Sequence, residues 1–298
     1  MVIAVDRGRW TCVPDTDQNA RVVAMRAREL GRTPIVIGDR VGLVGDLSGG
    51  PDALARIVRV DERSSVLRRT ADDSDPYERI VVANAEQLVI VSALADPPLS
   101  VGFVDRALVA AYAGGLRPVL CLTKADLVTD HDDVTAAWTE LDLPVVVTRH
   151  DEPPDALREV LGGRLSALIG HSGVGKSTLV NALVPDAERA VGRVSGVGKG
   201  RHTSSSAVAL PLVDGGWIVD TPGIRSFGLA HVTTTDVVTA FADLSEAVAD
   251  CPRGCGHLGP PADPECALDQ LAERGAVGVG RLAALRRVLV ALAAPSWT

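Results

Sequence analysis

Aromatic side chains are scarce in this 298-residue chain, at 3%, so a core must come from Val, Leu, Ile and Ala within a hydrophobic share of 46%. Lysine is scarcer still: only Lys124, Lys176 and Lys199 stand among 30 basic residues. No run of about 18 uncharged apolar residues occurs, which argues against a membrane-spanning helix. The first residues lack the basic segment and apolar stretch of a secretory signal, so the expected location is the cytoplasm. Five cysteines, an odd number, do not suit a disulfide framework in such a chain. The net charge of −8 argues against a generic nucleic-acid coat protein. Residues 1–80, however, carry 13 Arg against 13 acidic residues, so the N-terminal third repels RNA least.

Three zones follow one another along the chain. Residues 1–79 alternate short apolar stretches (21–24, 33–37, 40–44, 55–60) with Gly, Asp and Pro turns, the pattern of a small β-barrel. An OB-like or an SH3-like barrel fits equally, with 63–78 as a polar linker. Residues 80–229 switch to buried-type strands at 88–94, 118–122, 144–147, 165–169 and 217–219. Helical patterns at 104–113, 134–141, 155–161 and 176–184 lie between them, which predicts a parallel α/β sheet covered on both faces. Residues 230–298 predict a helix at 237–249, a cysteine cluster and a closing helix at 277–294.

The strongest motif is Gly170-His171-Ser172-Gly173-Val174-Gly175-Lys176-Ser177, set between a strand and a helix. Backbone N–H groups of Gly170, Ser172, Gly173, Val174 and Gly175 would cradle phosphates, with Thr178 in the first helical turn. Lys176 would reach the β- and γ-phosphates and Ser177 would ligate Mg²⁺. Thr123-Lys124-Ala125-Asp126 ends another strand. Asp126 can accept from N1–H and the exocyclic amine of guanine, a pair adenine does not offer, while Lys124 lies along the base. Asp220-Thr221-Pro222-Gly223 follows a third strand; Asp220 would hold Mg²⁺ through water and Gly223 would sense the γ-phosphate. Glycine-rich residues 196–203 suit a switch loop, with Thr203 as a second Mg²⁺ ligand and His202 or Arg201 near the reacting water. Ile224 stands where many GTPases place a water-orienting Gln, so unaided hydrolysis is expected to be slow.

Two of the three lysines thus sit inside nucleotide motifs, where a compact ammonium is wanted instead of a planar fork. The motif order is also informative. A guanine box ahead of the phosphate loop reverses the usual order and implies circular permutation, which leaves spatial contacts intact. Near the C-terminus, Cys251-x₃-Cys255-x-His257-x₈-Cys266 offers three thiolates and one imidazole, a donor set for structural Zn²⁺. Cys12 and Cys121 are expected to be small core hydrophobes.

Taken together, barrel, guanine box, phosphate loop, Gly200-Arg201-His202-Thr203, Asp220–Gly223 and the Cys/His cluster resemble the RsgA family of ribosome small-subunit-dependent GTPases, nearly end to end. The resemblance implies an OB barrel that binds ribosomal RNA, a permuted GTPase core using GTP and Mg²⁺, and a zinc-binding C-terminal domain. It also implies late maturation of the small ribosomal subunit, which in turn stimulates hydrolysis, by a monomer with no membrane partner. The alternative is a permuted GTPase acting on the large subunit or another RNA. Two departures stand out. The family usually has four residues between the first two cysteines and five between His and the last, where this chain has three and eight. The barrel also lacks a basic run.

Overall fold

The structure is a computed structural model and describes residues 1–50, 52–69, 79–139, 141, 143–184, 187, 207–221, 229 and 232–293. Strands β1 (Val2–Asp6), β2 (Arg9–Cys12) and β3 (Val22–Arg26) form an antiparallel meander. β4 (Val41–Gly45) pairs antiparallel with β5 (Ala55–Val60), and β5 pairs parallel with β3, giving the order β1-β2-β3-β5-β4. Just ahead of β4 the chain meets β1, where Gly38 N–H donates to Val2 O at 2.8 Å and Val2 N–H to Asp39 O at 2.9 Å. Alternation in β3 and β5 turns Val22, Ala24, Ala55 and Ile57 inward, where they meet Val2, Trp10, Cys12 and Ile35 in a small core of their own.

The stretch 33–37 forms no strand beyond a single bridge from Ile37 to Val82. Side chains take over there. Buried Asp39 accepts from Arg63 Nε at 2.7 Å and Nη2 at 2.9 Å, and from the Val36 N–H at 2.8 Å. The expected linker also carries order, since β6 (Val66–Arg69) pairs antiparallel with β7 (Arg79–Ala83) and buries Leu67 and Val82.

The central sheet consists of β8 (Gln87–Ala93), β9 (Arg117–Thr123), β10 (Val145–Val147), β11 (Leu165–Ile169), β12 (Val208–Pro211) and β13 (Trp217–Asp220). Its order is β10-β9-β8-β11-β13-β12, parallel except for β12. β8, β9 and β11 are buried almost throughout, as continuous apolar runs covered by helices require. Helices α1 (Val101–Ala113), α2 (Asp132–Thr139), α3 (Asp155–Leu161) and α4 (Lys176–Leu183) connect the strands. β12 continues sideways into β1, paired at Ala4 and Val208, so one eleven-stranded sheet runs from β10 to β4.

The helix expected at 237–249 is broken into α5 (Thr234–Val238), α6 (Ala242–Ser245) and a 3₁₀ turn at Ala247–Asp250. A reciprocal cap between Thr233 and Asp236 starts α5, and buried Phe241 marks the break. After the cysteine cluster come α7 (Ala267–Glu273) and α8 (Val279–Ala293). α8 lies along α1. Arg287 Nε bonds both oxygens of buried Asp105 at 3.1 and 3.0 Å, and Arg106 donates to Ala291 O at 3.3 Å. Leu282, Leu285, Val288 and Leu289 share one core with the central sheet. Among the described residues no helix is long and apolar enough to cross a membrane.

Candidate nucleotide and metal sites

Because β9, β11 and β13 run parallel, their carboxyl ends share one edge of the sheet, and each of the three motifs begins there. The phosphate loop runs from β11 into α4. At its first residue a Cβ on Gly170 would stand 2.4 Å from the Val91 carbonyl oxygen, so only glycine lets the loop leave β11 so close to β8. The Lys176 ammonium is held by the carbonyls of Gly170 at 2.6 Å and His171 at 3.2 Å. Ser172, Gly173, Ser177 and Thr178 are exposed along the rim, Gly175 is partly covered and Val174 is buried beneath.

The guanine box is tied to this loop by a direct bond. Thr123, buried, donates its hydroxyl proton to Val174 O at 2.6 Å. Lys124 adopts a left-handed conformation (φ 60°) and donates from Nζ to the Asp96 carbonyl. Exposed Asp126 accepts the His150 backbone N–H at 3.1 Å, and this bond is the main reason its carboxyl is held below the ordinary range. The box therefore presents an ionised acceptor. The loop after β10, to which the sequence assigned no role, is locked in place by Thr148: its N–H donates to Leu122 O at 2.8 Å and its carbonyl accepts from Ala125 N–H at 3.2 Å.

Asp220 closes β13. Burial raises its pKa and the Lys176 ammonium pulls it back. Its Oδ1 is buried with no hydrogen-bond partner among the described residues. A hydrated divalent cation beside the loop would satisfy that orphaned oxygen, so these residues fit Mg²⁺. His202, Thr203 and Gly223, with Lys199, Arg201 and Ile224, lie outside the described residues.

Sequence reasoning passed over several groups here. The Asp96 carbonyl and the His150 N–H act through the backbone, which side-chain chemistry does not reveal. Phe103 of α1, one residue ahead of the helix expected at 104–113, packs edge-on against His171, ring centroids 4.3 Å apart.

Far along the chain, the ligand atoms of Cys251, Cys255, His257 and Cys266 gather within 4.8 Å of one another. Backbone N–H groups already point at two of the sulfurs, His257 N–H at Cys255 Sγ and Ala267 N–H at Cys251 Sγ, both at 3.4 Å. Burial pushes the Cys255 thiol up to about 12 and raises Cys251, while it lowers His257. Three thiols and an imidazole in so small a volume are the donors a tetrahedral Zn²⁺ ion would take, the thiols giving up their protons on binding.

The sheet order, with the guanine box encoded before the phosphate loop, defines a P-loop GTPase with circularly permuted motifs. Comparison with known proteins specifies it further: a profile of the RsgA GTPase family matches residues 60–230, and the chain belongs to that family. The small ribosomal subunit biogenesis GTPase RsgA of Pseudomonas fluorescens SBW25 is 35% identical over 272 residues, covering 88% of this chain and 76% of that protein. The protein of the same name from Alcanivorax borkumensis is 37% identical over 260 residues, covering 84% and 71%. Among solved structures, YjeQ from Thermotoga maritima is 25% identical, covers 98% of this chain and 97% of its own, and superposes with a TM-score of 0.68. YloQ, described as a circularly permuted GTPase, shares the fold at 22% identity and a TM-score of 0.69, covering 98% and 93%.

Proposed function

We propose that this protein hydrolyses GTP to GDP and phosphate while bound to the small ribosomal subunit, and that it assists the subunit's late maturation. The observation that carries the reading is the Thr123–Val174 bond, which makes the guanine box and the phosphate loop one site. Family membership and relatives named for small ribosomal subunit biogenesis support the choice of partner. Asp126 selects guanine, Lys124 braces the base against the Asp96 loop, and the phosphate-loop amides from Gly170 to Lys176 receive the phosphates. Lys176 leaves its loop carbonyls for the β- and γ-phosphates as they enter. Ser177, Thr203 and Asp220 would hold Mg²⁺, which neutralises phosphate charge when bound. Thr203 and Gly223 report the γ-phosphate, and His202, Arg201 or a group of the subunit orients the water that Ile224 cannot.

In this reading residues 1–79 are an OB-like barrel that meets ribosomal RNA, 80–229 the GTPase and 230–298 a zinc-binding helical domain. The strand order β1-β2-β3-β5-β4 with its closing bonds at Gly38 and Asp39 favours a closed five-stranded barrel. The protein works in the cytoplasm as a monomer. GTP turnover by purified protein, with and without small subunits and with ATP and large subunits as controls, tests the reading. Slow GTP turnover accelerated only by small subunits is expected; equal rates in all mixtures, or a preference for ATP, would overturn it.

A further inference from the structure

We propose that Asp263 and Arg286, neither of them a ligand, are positioning residues that shape the metal loop around His257 and so set its metal affinity. The inference rests on the reading of Cys251, Cys255, His257 and Cys266 as a zinc site. Eight residues separate His257 from Cys266, and eight residues can span roughly 25 Å when extended. Yet the Cys266 sulfur returns to within 4.8 Å of the other donor atoms. Three donors before the gap and one after it need a device that folds the intervening chain, and the loop's own closure entropy opposes this.

Asp263 supplies the first half of that device. Its Oδ1 accepts the Gly256 N–H at 3.0 Å and its Oδ2 accepts the Leu258 N–H at 2.9 Å, so one carboxylate grips the backbone on both sides of His257. His257 itself sits at φ 61°, a left-handed conformation uncommon outside glycine though more accessible to His than to most residues, and the two bonds hold the backbone on either side of it. The Asp263 backbone completes the fold, its N–H donating to Gly259 O at 2.9 Å and its carbonyl accepting from Cys266 N–H at 3.2 Å. A side chain and its own peptide groups thus connect the His257 end of the gap to the Cys266 end.

Arg286, reaching in from α8, supplies the second half. Its Nε donates to the His257 carbonyl at 3.2 Å while Asp269 holds its Nη2 at 2.8 Å. The loop passes so close to this guanidinium that a Cβ on Gly259, at φ 74°, would lie 2.5 Å from it. The backbone carbonyl of His257 and the two amides that flank the residue are therefore held from outside the donor set. Such outer partners of a metal ligand characteristically govern affinity by 10–100-fold.

The test is zinc competition with a chromophoric chelator on the full chain, for wild type, Asp263→Ala, Asp263→Asn, Arg286→Met and Arg286→Lys. Asp263→Ala is expected to weaken zinc by about 10–100-fold. Asp263→Asn should lose less, because its amide oxygen still accepts one N–H, and Arg286→Lys should recover part of the loss in Arg286→Met. Cobalt substitution adds a spectroscopic signature: the tetrahedral ligand-field bands should weaken in the alanine variant as the imidazole loosens. Guanine-nucleotide affinity of each variant should stay within about twofold of wild type, which shows that the rest of the chain is folded. Variants that bind zinc and cobalt as wild type does would overturn the inference while leaving the zinc site standing. A wild-type chain that takes up no zinc would remove the site itself and the inference with it.

Discussion

Thr123 joins two motifs that the sequence separates by 51 positions, and a single methyl-for-hydroxyl exchange probes the join. Thr123→Val keeps the shape, removes the donor and leaves the Val174 carbonyl without it, at a cost of about 1 kcal/mol. Guanine-nucleotide affinity is expected to fall about fivefold, read by titration with a fluorescent GDP, while the thermal midpoint moves only slightly. Asp126→Asn tests base choice more severely. The amide can accept from N1–H but its NH₂ faces the exocyclic amine of guanine, donor against donor. GTP affinity should drop by at least about 100-fold and xanthosine triphosphate, with an oxygen at that position, should bind better than GTP. Unchanged preference in a competition assay would remove Asp126 from the site. At this scale the sequence was legible where a side chain makes the contact, as with Asp126, Lys176 and the three clustered thiols. It was silent where a carbonyl or an amide does, as with Asp96 and His150.

Helix α1 carries the nucleotide edge at one end and the C-terminal segment on its flank. Phe103 touches His171, and two residues later Asp105 takes Arg287 of α8 and the Trp138 indole N–H at 3.4 Å. Arg287→Met would leave the Asp105 carboxylate buried without its cation. The loss is expected to be about 2–4 kcal/mol, below the full cost of orphaning a buried charge because the guanidinium is 33% exposed. Burial outweighs the arginine and raises the Asp105 pKa above its ordinary 3.8. The folded state then binds this proton more readily than the unfolded one, so its contribution to stability is complete below 3.8 and fades as pH rises through the raised value. Denaturant midpoints of wild type and Asp105→Asn should diverge as pH falls from 7 towards 4, with wild type gaining. Equal pH slopes would contradict the raised pKa. The element-level record of the sequence follows from the same physics. β8, β9 and β11 are continuous apolar runs and announce themselves. β12 is four residues long, and its partners on either side are β13, reached through a tight turn, and β1, from the other end of the chain. The break between α5 and α6 carries neither Gly nor Pro and is set by packing around Phe241.

At the scale of the whole molecule, the pairing of β12 with β1 at Ala4 and Val208 makes the N-terminal strands and the central sheet one sheet. A chain begun after residue 61 would lose β1 to β5 and bare the β12 edge with Val208, Ala209 and Leu210 behind it. Such a truncation is expected to aggregate, measured by light scattering at concentrations where the full chain stays dispersed. A well-behaved monomeric core would show that the seam is dispensable. The seam also has a consequence in time. β1 is made well before β12, and the strand that pairs with it at Ala4 emerges about 200 residues later, which at roughly 5–20 residues per second is a wait of about 10–40 s. Over that interval the edge at Ala4 stays open, while Val2 is already bonded to Gly38 and Asp39. The 123–126 box is likewise finished well before the phosphate loop and β13 exist, so a nascent chain carries the three motifs incomplete until Asp220 is made. The nucleotide can therefore steady this fold only once the chain has been made as far as Asp220.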